Sequence, residues 1–288
     1  MTASWQAELA AAVGAEIARV ESVAGGDIND AFRVSFADRT RPSLFVKTRR
    51  SPQPGMFHAE AAGLDWLRPG PLRVPEVVAV TDGWLALEWL ELGAAGQASE
   101  PLGRGLAGLH RLGQGPTSRP TRAALGTQCC GLDHDNMLAT LDQDNAPTDD
   151  VAELWIERRL RPVCARAGLA LDRELDALRH MRDRFGPSEA PARLHGDLWW
   201  GNVATCAGQP VVIDPAVYAG PREVDLAMLA LFGSVPDHLI AAYNEVWPLE
   251  AGWRERVELW QLYPLAVHAV LFGGGYGERV RRTLRRLV

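Results

Sequence analysis

Cysteine is scarce in this 288-residue chain: Cys129, Cys130, Cys164 and Cys206 are the whole set. Four thiols so irregularly spaced exclude a disulfide framework and a zinc site, and the adjacent pair Cys129-Cys130 reads as two thiols in a reducing compartment. Basic charge is also short. Lys and Arg number 30 against 36 Asp and Glu, a formal net charge of −6, which argues against a nucleic-acid binder. Residues 1–16 carry Glu8 early and offer no basic stretch ahead of a long apolar run, so no signal peptide is expected and a cytoplasmic location is. No apolar run is long enough for a bilayer. The uncharged stretch from Leu259 to Gly277 is interrupted by Gln261, Pro264, His268 and three consecutive glycines, and predicts a buried helix ending at Gly273 instead of a membrane span. Internal repeats and low-complexity segments are missing too.

What remains is an ordinary globular composition, 47% hydrophobic and 23% charged, in a chain long enough for one large domain or two lobes. A short amphipathic helix is expected over residues 5–14. Alternating runs at 16–23 and 31–36, joined by a turn containing Gly25, Gly26 and Asp27, predict a hairpin. A Gly-Gly-Asp turn suits an ordinary hairpin, and it also suits one whose backbone N–H groups approach a phosphate. A third strand, 43–48, carries Lys47 at its end, and a helix over 56–67 carries Glu60. Two further strands, 75–80 and 84–89, complete a five-stranded antiparallel sheet.

Beyond residue 90 helical periodicity takes over. Helices are expected over 99–112 with Ser99 as N-cap, 150–167, 172–185, 221–232, 236–247 and 252–272. Residues 113–150, rich in Gly, Pro, Thr, Asp and Asn, read as a long functional loop. The division predicted is a nucleotide-binding lobe at 1–90 and a larger, mostly helical catalytic and substrate lobe at 91–288.

The stretch that carries chemistry is Leu194-His195-Gly196-Asp197-Leu198-Trp199-Trp200-Gly201-Asn202, followed by Val211-Val212-Ile213-Asp214. Phosphoryl transfer asks a protein for positioning and charge neutralisation: one carboxylate to take the proton of an attacking hydroxyl, and hard oxygens to hold Mg²⁺ against the phosphates. Asp197, Asn202 and Asp214 are candidates for those three roles, and Asp197 to Asn202 reproduces the Asp-x-x-x-x-Asn interval of kinase catalytic loops. Taken singly, each fits a solvated loop equally well. A strand bearing Lys47 followed by a helix bearing Glu60 is the order a Lys–Glu clamp on a nucleotide requires. Glu88-Trp89-Leu90, where the sheet hands over to the helices, places backbone groups where they could bond an adenine.

Together these residues resemble the fructosamine kinase family, within the protein-kinase-like group that includes aminoglycoside phosphotransferases and choline kinases. The carriers are His195-Gly196-Asp197-Leu198-Trp199 with Gly201-Asn202, Ile213-Asp214-Pro215, and the block Arg222-Glu223-Val224-Asp225-Leu226-Ala227. Phe45-Val46-Lys47, Glu60-Ala61, His268 and Phe272-Gly273-Gly274-Gly275-Tyr276 add to them. The likeness runs over nearly the whole chain and implies an α+β, bilobal protein-kinase-like fold. It also implies ATP-dependent phosphorylation of ketosamines at the sugar 3-hydroxyl, giving an unstable 3-phosphate that frees the amine. The acceptors implied are small ketosamines or glycated protein lysines and the cofactors ATP and Mg²⁺; separately, a monomer that engages neither nucleic acid nor membrane is expected.

By position, Asp197 matches the base, Asn202 and Asp214 the Mg²⁺ ligands, Lys47 the phosphate-binding lysine and Glu60 its partner; Asp225 resembles the carboxylate that steadies the catalytic loop. Gly25 and Gly26 match the phosphate-covering turn, where many relatives have a Cys and this chain has Asp27. Trp199, Trp200 and His268 are candidate acceptor contacts, with Trp200 standing where a small residue is usual. Two other readings stay open: a kinase for another hydroxylated amine, such as an aminoglycoside or choline, and a non-catalytic nucleotide-binding module. The joint presence of Lys47, Glu60, Asp197, Asn202 and Asp214 opposes the last.

Overall fold

The computed structural model describes residues 4–23, 29–94, 99–112 and 130–288. The turn holding Gly25, Gly26 and Asp27 and residues 113–129 of the expected loop 113–150, Cys129 among them, lie outside the described residues.

The first layer is a five-stranded antiparallel sheet of order β1-β2-β3-β5-β4, built from β1 (Ile17–Ser22), β2 (Asp30–Phe36), β3 (Leu44–Thr48), β4 (Val77–Val80) and β5 (Trp84–Glu88). Helix α1 (Trp5–Val13) precedes it; Ser4 caps its start by accepting from Ala7 N, and Gly14 in the left-handed region ends it. Leu9 of α1 joins Val34, Val46 and Trp84 in a core beneath one face. Helix α2 (Met56–Leu67) connects β3 to β4 and buries Phe57, Leu64 and Leu67.

Residues 89–92 belong to no strand, and Gly93 then pairs with Thr205. The rest is mostly helical: α3 (Ser99–Arg111), a π-helical turn Glu153–Leu160 running into α4 (Arg161–Arg166), α5 (Asp172–His180), α6 (Glu223–Leu229), α7 (Asp237–Val246), α8 (Trp253–Phe272) and α9 (Tyr276–Leu287). Between them lie the hairpins β6 (Asn136–Leu138) with β7 (Leu141–Gln143) and β9 (Val203–Cys206) with β10 (Gln209–Val212), and the pair β8 (Ala192–Leu194) with β11 (Tyr218–Gly220). Helix α8 stops at Gly273, as expected, and no helix among the described residues is long and apolar enough to cross a membrane.

The structure corrects several helical boundaries. The wide π turn draws Leu154, Trp155, Ile156, Arg159 and Leu160 all inward, and the Arg159 guanidinium, fully buried, bonds Asn145 Oδ1 and lies 4.6 Å from the Tyr218 ring centre. The helix expected over 172–185 breaks at Met181 and resumes as one 3₁₀ turn. Part of the loop expected at 113–150 is the hairpin β6–β7, and α9 was not anticipated.

Two glycines set the approach of elements around the site. Gly103 of α3 lies so near α7 that a Cβ there would meet Leu239 O at 2.3 Å. Gly63 of α2 faces Pro215 at 3.3 Å and Val217 at 3.4 Å, so α2 rests directly on the segment following Asp214. One core cluster accordingly runs through both layers, from Phe57 and Leu64 to Leu106, Leu198, Val212 and Leu226.

Candidate active site

Strand β8 delivers the chain to His195, and Gly196 turns it with φ +82, a left-handed conformation in which a Cβ would stand 2.0 Å from Ala216 O. The turn is held from below by Asp225, fully buried on α6, whose two carboxylate oxygens accept from the backbone N–H of His195 at 2.8 Å and of Gly196 at 2.9 Å. His110 of α3 adds a third contact to Asp225 at 3.2 Å and meets Tyr243 Oη of α7 at 2.8 Å. Burial alone would raise the Asp225 pKa, but the hydrogen bond from His110 and the Gly196 N–H outweigh it and hold it below the ordinary value.

His195 is positioned by both ring nitrogens. Nε2 donates to Ile213 O at 3.0 Å, so Nδ1 accepts, from Asp197 N at 3.3 Å. Burial depresses its pKa, which suits a neutral ring acting as a spacer between the loop and the strand end.

Asp197 and Asn202 are in contact: Asn202 Nδ2 donates to Asp197 O at 2.8 Å and to Asp197 Oδ2 at 3.2 Å. Burial first, and then the charge of Asp214, push the Asp197 carboxyl up to about 7, while the Asn202 amide pulls it down. A carboxylate so raised is a better proton acceptor near neutrality. With Nδ2 thus engaged, Asn202 Oδ1 has no hydrogen-bond partner among the described residues.

Asp214 follows β10 with φ +56, a left-handed conformation for a non-glycine residue. Lys47 Nζ lies 2.5 Å from Asp214 Oδ1 and 2.7 Å from Glu60 Oε1, the Lys and Glu side chains being 8% and 13% exposed and that of Asp214 43%. Burial would lower the Lys47 pKa, but Asp214 and Glu60 reverse the effect and keep it a cation, whereas burial of Glu60, offset by Lys47, leaves its own pKa raised. An ammonium has three donors, and two are used here. No partner for the third is present among the described residues.

No group of three or more His, Cys, Asp or Glu side chains among the described residues could hold a metal by itself. Mg²⁺ in phosphoryl transfer needs no such group, since it takes one or two protein oxygens and completes its shell with substrate phosphates and water. Asn202 Oδ1 and the half-exposed carboxylate of Asp214 are the oxygens available.

The other candidates spread around this centre. Glu88 is occupied structurally: its carboxylate binds Arg73 and Glu76 N, and its own N–H donates to Glu76 O. Trp89 lies under Arg33, 4.5 Å from guanidinium to ring centre, with Leu90 next in the unpaired linker. The two adjacent tryptophans diverge. Trp200 packs on Gly233 and the central core, while Trp199 is 40% exposed and meets Phe232 edge to face. His268 is ringed by Phe232, Phe272 and Tyr276. Sequence reasoning missed His110 and Phe232; each sits in an ordinary-looking helical or apolar stretch, and only the fold brings it to the site.

The model of the fructosamine kinase family matches residues 1–288. The Probable ketoamine kinase of Synechocystis is 35% identical over 277 residues, covering 92% of this chain and 88% of its own, and that of Enterococcus faecium is 34% identical, covering 92% and 94%. Among solved structures, a candidate fructosamine-3-kinase from Thermobifida fusca is 38% identical and superposes with a TM-score of 0.84, covering 99% of this chain and 98% of its own. A macrolide 2'-phosphotransferase from Brachybacterium faecium, 16% identical with a TM-score of 0.62 over 96% of each chain, shares the fold. With its kinase-like architecture and a whole-chain family match, this protein is a phosphotransferase that belongs to the fructosamine kinase family.

Proposed function

We propose that this enzyme transfers the γ-phosphate of ATP to the 3-hydroxyl of ketosamines of the fructosamine or ribulosamine type, and that the resulting 3-phosphate decomposes and releases the amine, a deglycation reaction. The observation that carries the reading is the Lys47–Asp214 contact across the two layers, set beside Asp197 and Asn202 on the neighbouring loop. With Glu60 on Lys47 this is a five-residue set for phosphoryl transfer, and the likeness to ketoamine kinases supports the acceptor.

Each residue has a definite task. Lys47, steadied by Glu60, neutralises phosphate oxygens. Asn202 and Asp214 would hold Mg²⁺, which when bound neutralises charge on the phosphates. Asp197 takes the proton of the attacking hydroxyl as its oxygen bonds to the γ-phosphorus and the bond to the ADP oxygen breaks. The buried His195–Asp225–His110 network holds the loop so that the base needs no reorganisation.

Measurement of phosphate transfer from ATP across fructosamine, ribulosamine and erythrulosamine derivatives, with an aminoglycoside and choline as controls, tests the reading. Transfer to the ketosamines is expected. Transfer confined to the aminoglycoside or choline would replace the acceptor assignment, and failure to bind Mg-ATP would overturn the activity.

A further inference from the structure

The aromatic residues around His268 have no role in phosphate transfer, and they are unusually exposed. Phe232 is 45% and Phe272 56% exposed, with Trp199 at 40%. Large apolar side chains grouped at a surface mark a binding site more often than single ones do. These are grouped. The ring centres of Phe232, Phe272 and Tyr276 stand 4.9, 5.4 and 5.2 Å from that of His268, and Trp199 extends the row with its ring 6.4 Å from Phe232. Trp199 is two residues from Asp197 and donates its backbone N–H to the Asp197 carbonyl, so the row adjoins the loop that carries Asp197.

His268 has its tautomer set by the fold. Its Nδ1 lies 2.7 Å from Pro264 O, and a carbonyl can only accept, so Nδ1 carries the hydrogen. Nε2 then bears a lone pair and has no partner among the described residues. The chain is uncharged from Leu259 to Gly277, so neither a carboxylate nor a cation of that stretch competes for this position. A lone pair set among aromatic faces is a receptor for a single organic cation that has an N–H to donate.

We propose that Phe232, His268, Phe272 and Tyr276 form the amine subsite of the acceptor: the protonated amine nitrogen donates to His268 Nε2 with its charge against the three rings. The substituent of that amine leaves over exposed Phe272 to solvent, which lets one site accept free amines and longer glycated chains. This inference rests on the ketosamine reading above. It also separates the acceptor from a polycationic aminoglycoside, whose several ammonium groups call for carboxylates that residues 259–277 do not supply.

The test is steady-state kinetics on an N-alkyl fructosamine, with fructose, the same sugar without its amine, as a competing inhibitor. His268→Leu and Phe272→Ala are each expected to raise the ketosamine KM about ten-fold, leaving kcat and the ATP KM within about two-fold and the fructose inhibition constant unchanged. His268→Gln, which restores an acceptor, is expected to recover most of the loss. Folding is checked by melting temperature, and the exposure of Phe272 makes that variant the safer one. Unchanged ketosamine KM in folded variants, or equal weakening of fructose, overturns the subsite. A wild-type enzyme that phosphorylates no ketosamine overturns the functional reading and the subsite with it, and shows itself in the wild-type measurement alone.

Discussion

Lys47 Nζ and Asp214 Oδ1 lie 2.5 Å apart although 167 residues separate them in the chain. One comes from the centre of the sheet and the other from the end of a hairpin in the helical layer, so this contact ties both halves of the site together. Glu60 completes the arrangement from α2, and Gly63, one turn further on, lets α2 settle on Pro215. The Lys–Glu–Asp group is therefore a product of packing as well as of charge.

Replacement of Lys47 by Met is expected to cost about 3 kcal/mol of stability, because Glu60 is left buried without its cation. The double variant Lys47→Met/Glu60→Leu removes both charges and should regain much of that loss. Urea denaturation measures both, and calorimetric titration should find Mg-ATP bound more weakly in each. Equal stability of the two variants would show that Glu60 carries no buried-charge penalty once Lys47 is gone.

Asp197→Asn keeps the shape of the loop and removes the proposed proton acceptor. A loss in kcat of roughly 10²–10⁴-fold with nucleotide affinity intact is expected. Parallel loss of nucleotide binding would place Asp197 in ATP binding instead.

The sheet and α2 were legible because alternating and helical periodicities in this sequence are clean and the turns between them short. The helical layer was less so. Its strands β6 to β11 have three or four residues each, too few to display alternation, and α9 hides Val280, Leu284 and Leu287 among five arginines. At the site, the motif residues could be named because their types and spacing match a chemical task. The support beneath them could not. His110 is a helix residue with nothing local to mark it, and its place under the loop depends on Gly103 admitting α7 to within contact of α3.

Asp225 carries the pH dependence of stability that this support creates. Its folded pKa is depressed, so its ionised form contributes stability above the ordinary carboxylate range, and the contribution is lost as pH falls through the folded value. Asp225→Asn, which turns an amide toward backbone N–H groups, should cost about 2 kcal/mol or more at pH 7. In denaturant titrations the gap to wild type should shrink once the pH drops below about 4. A gap independent of pH would mean that Asp225 is protonated in the fold and acts only through its shape.

Gly63→Leu tests whether the position of α2 sets the geometry of the charged group. Leucine gains helix propensity over glycine, about 0.5–1 kcal/mol. Against this, a leucine must enter a space where a bare Cβ already stands 3.3 Å from Pro215 and 3.4 Å from Val217, and overpacking costs about 1–3 kcal/mol. The steric cost should win and lift α2 from the segment behind Asp214, lengthening both Lys47 contacts. The expected result is a raised ATP KM and a lowered kcat in an enzyme whose five site residues are unaltered, with Asp65→Ala on the exposed side of α2 as the neutral control. If Gly63→Leu is destabilised yet retains wild-type kinetics, the lysine is positioned by its own strand and the seat of α2 serves stability alone.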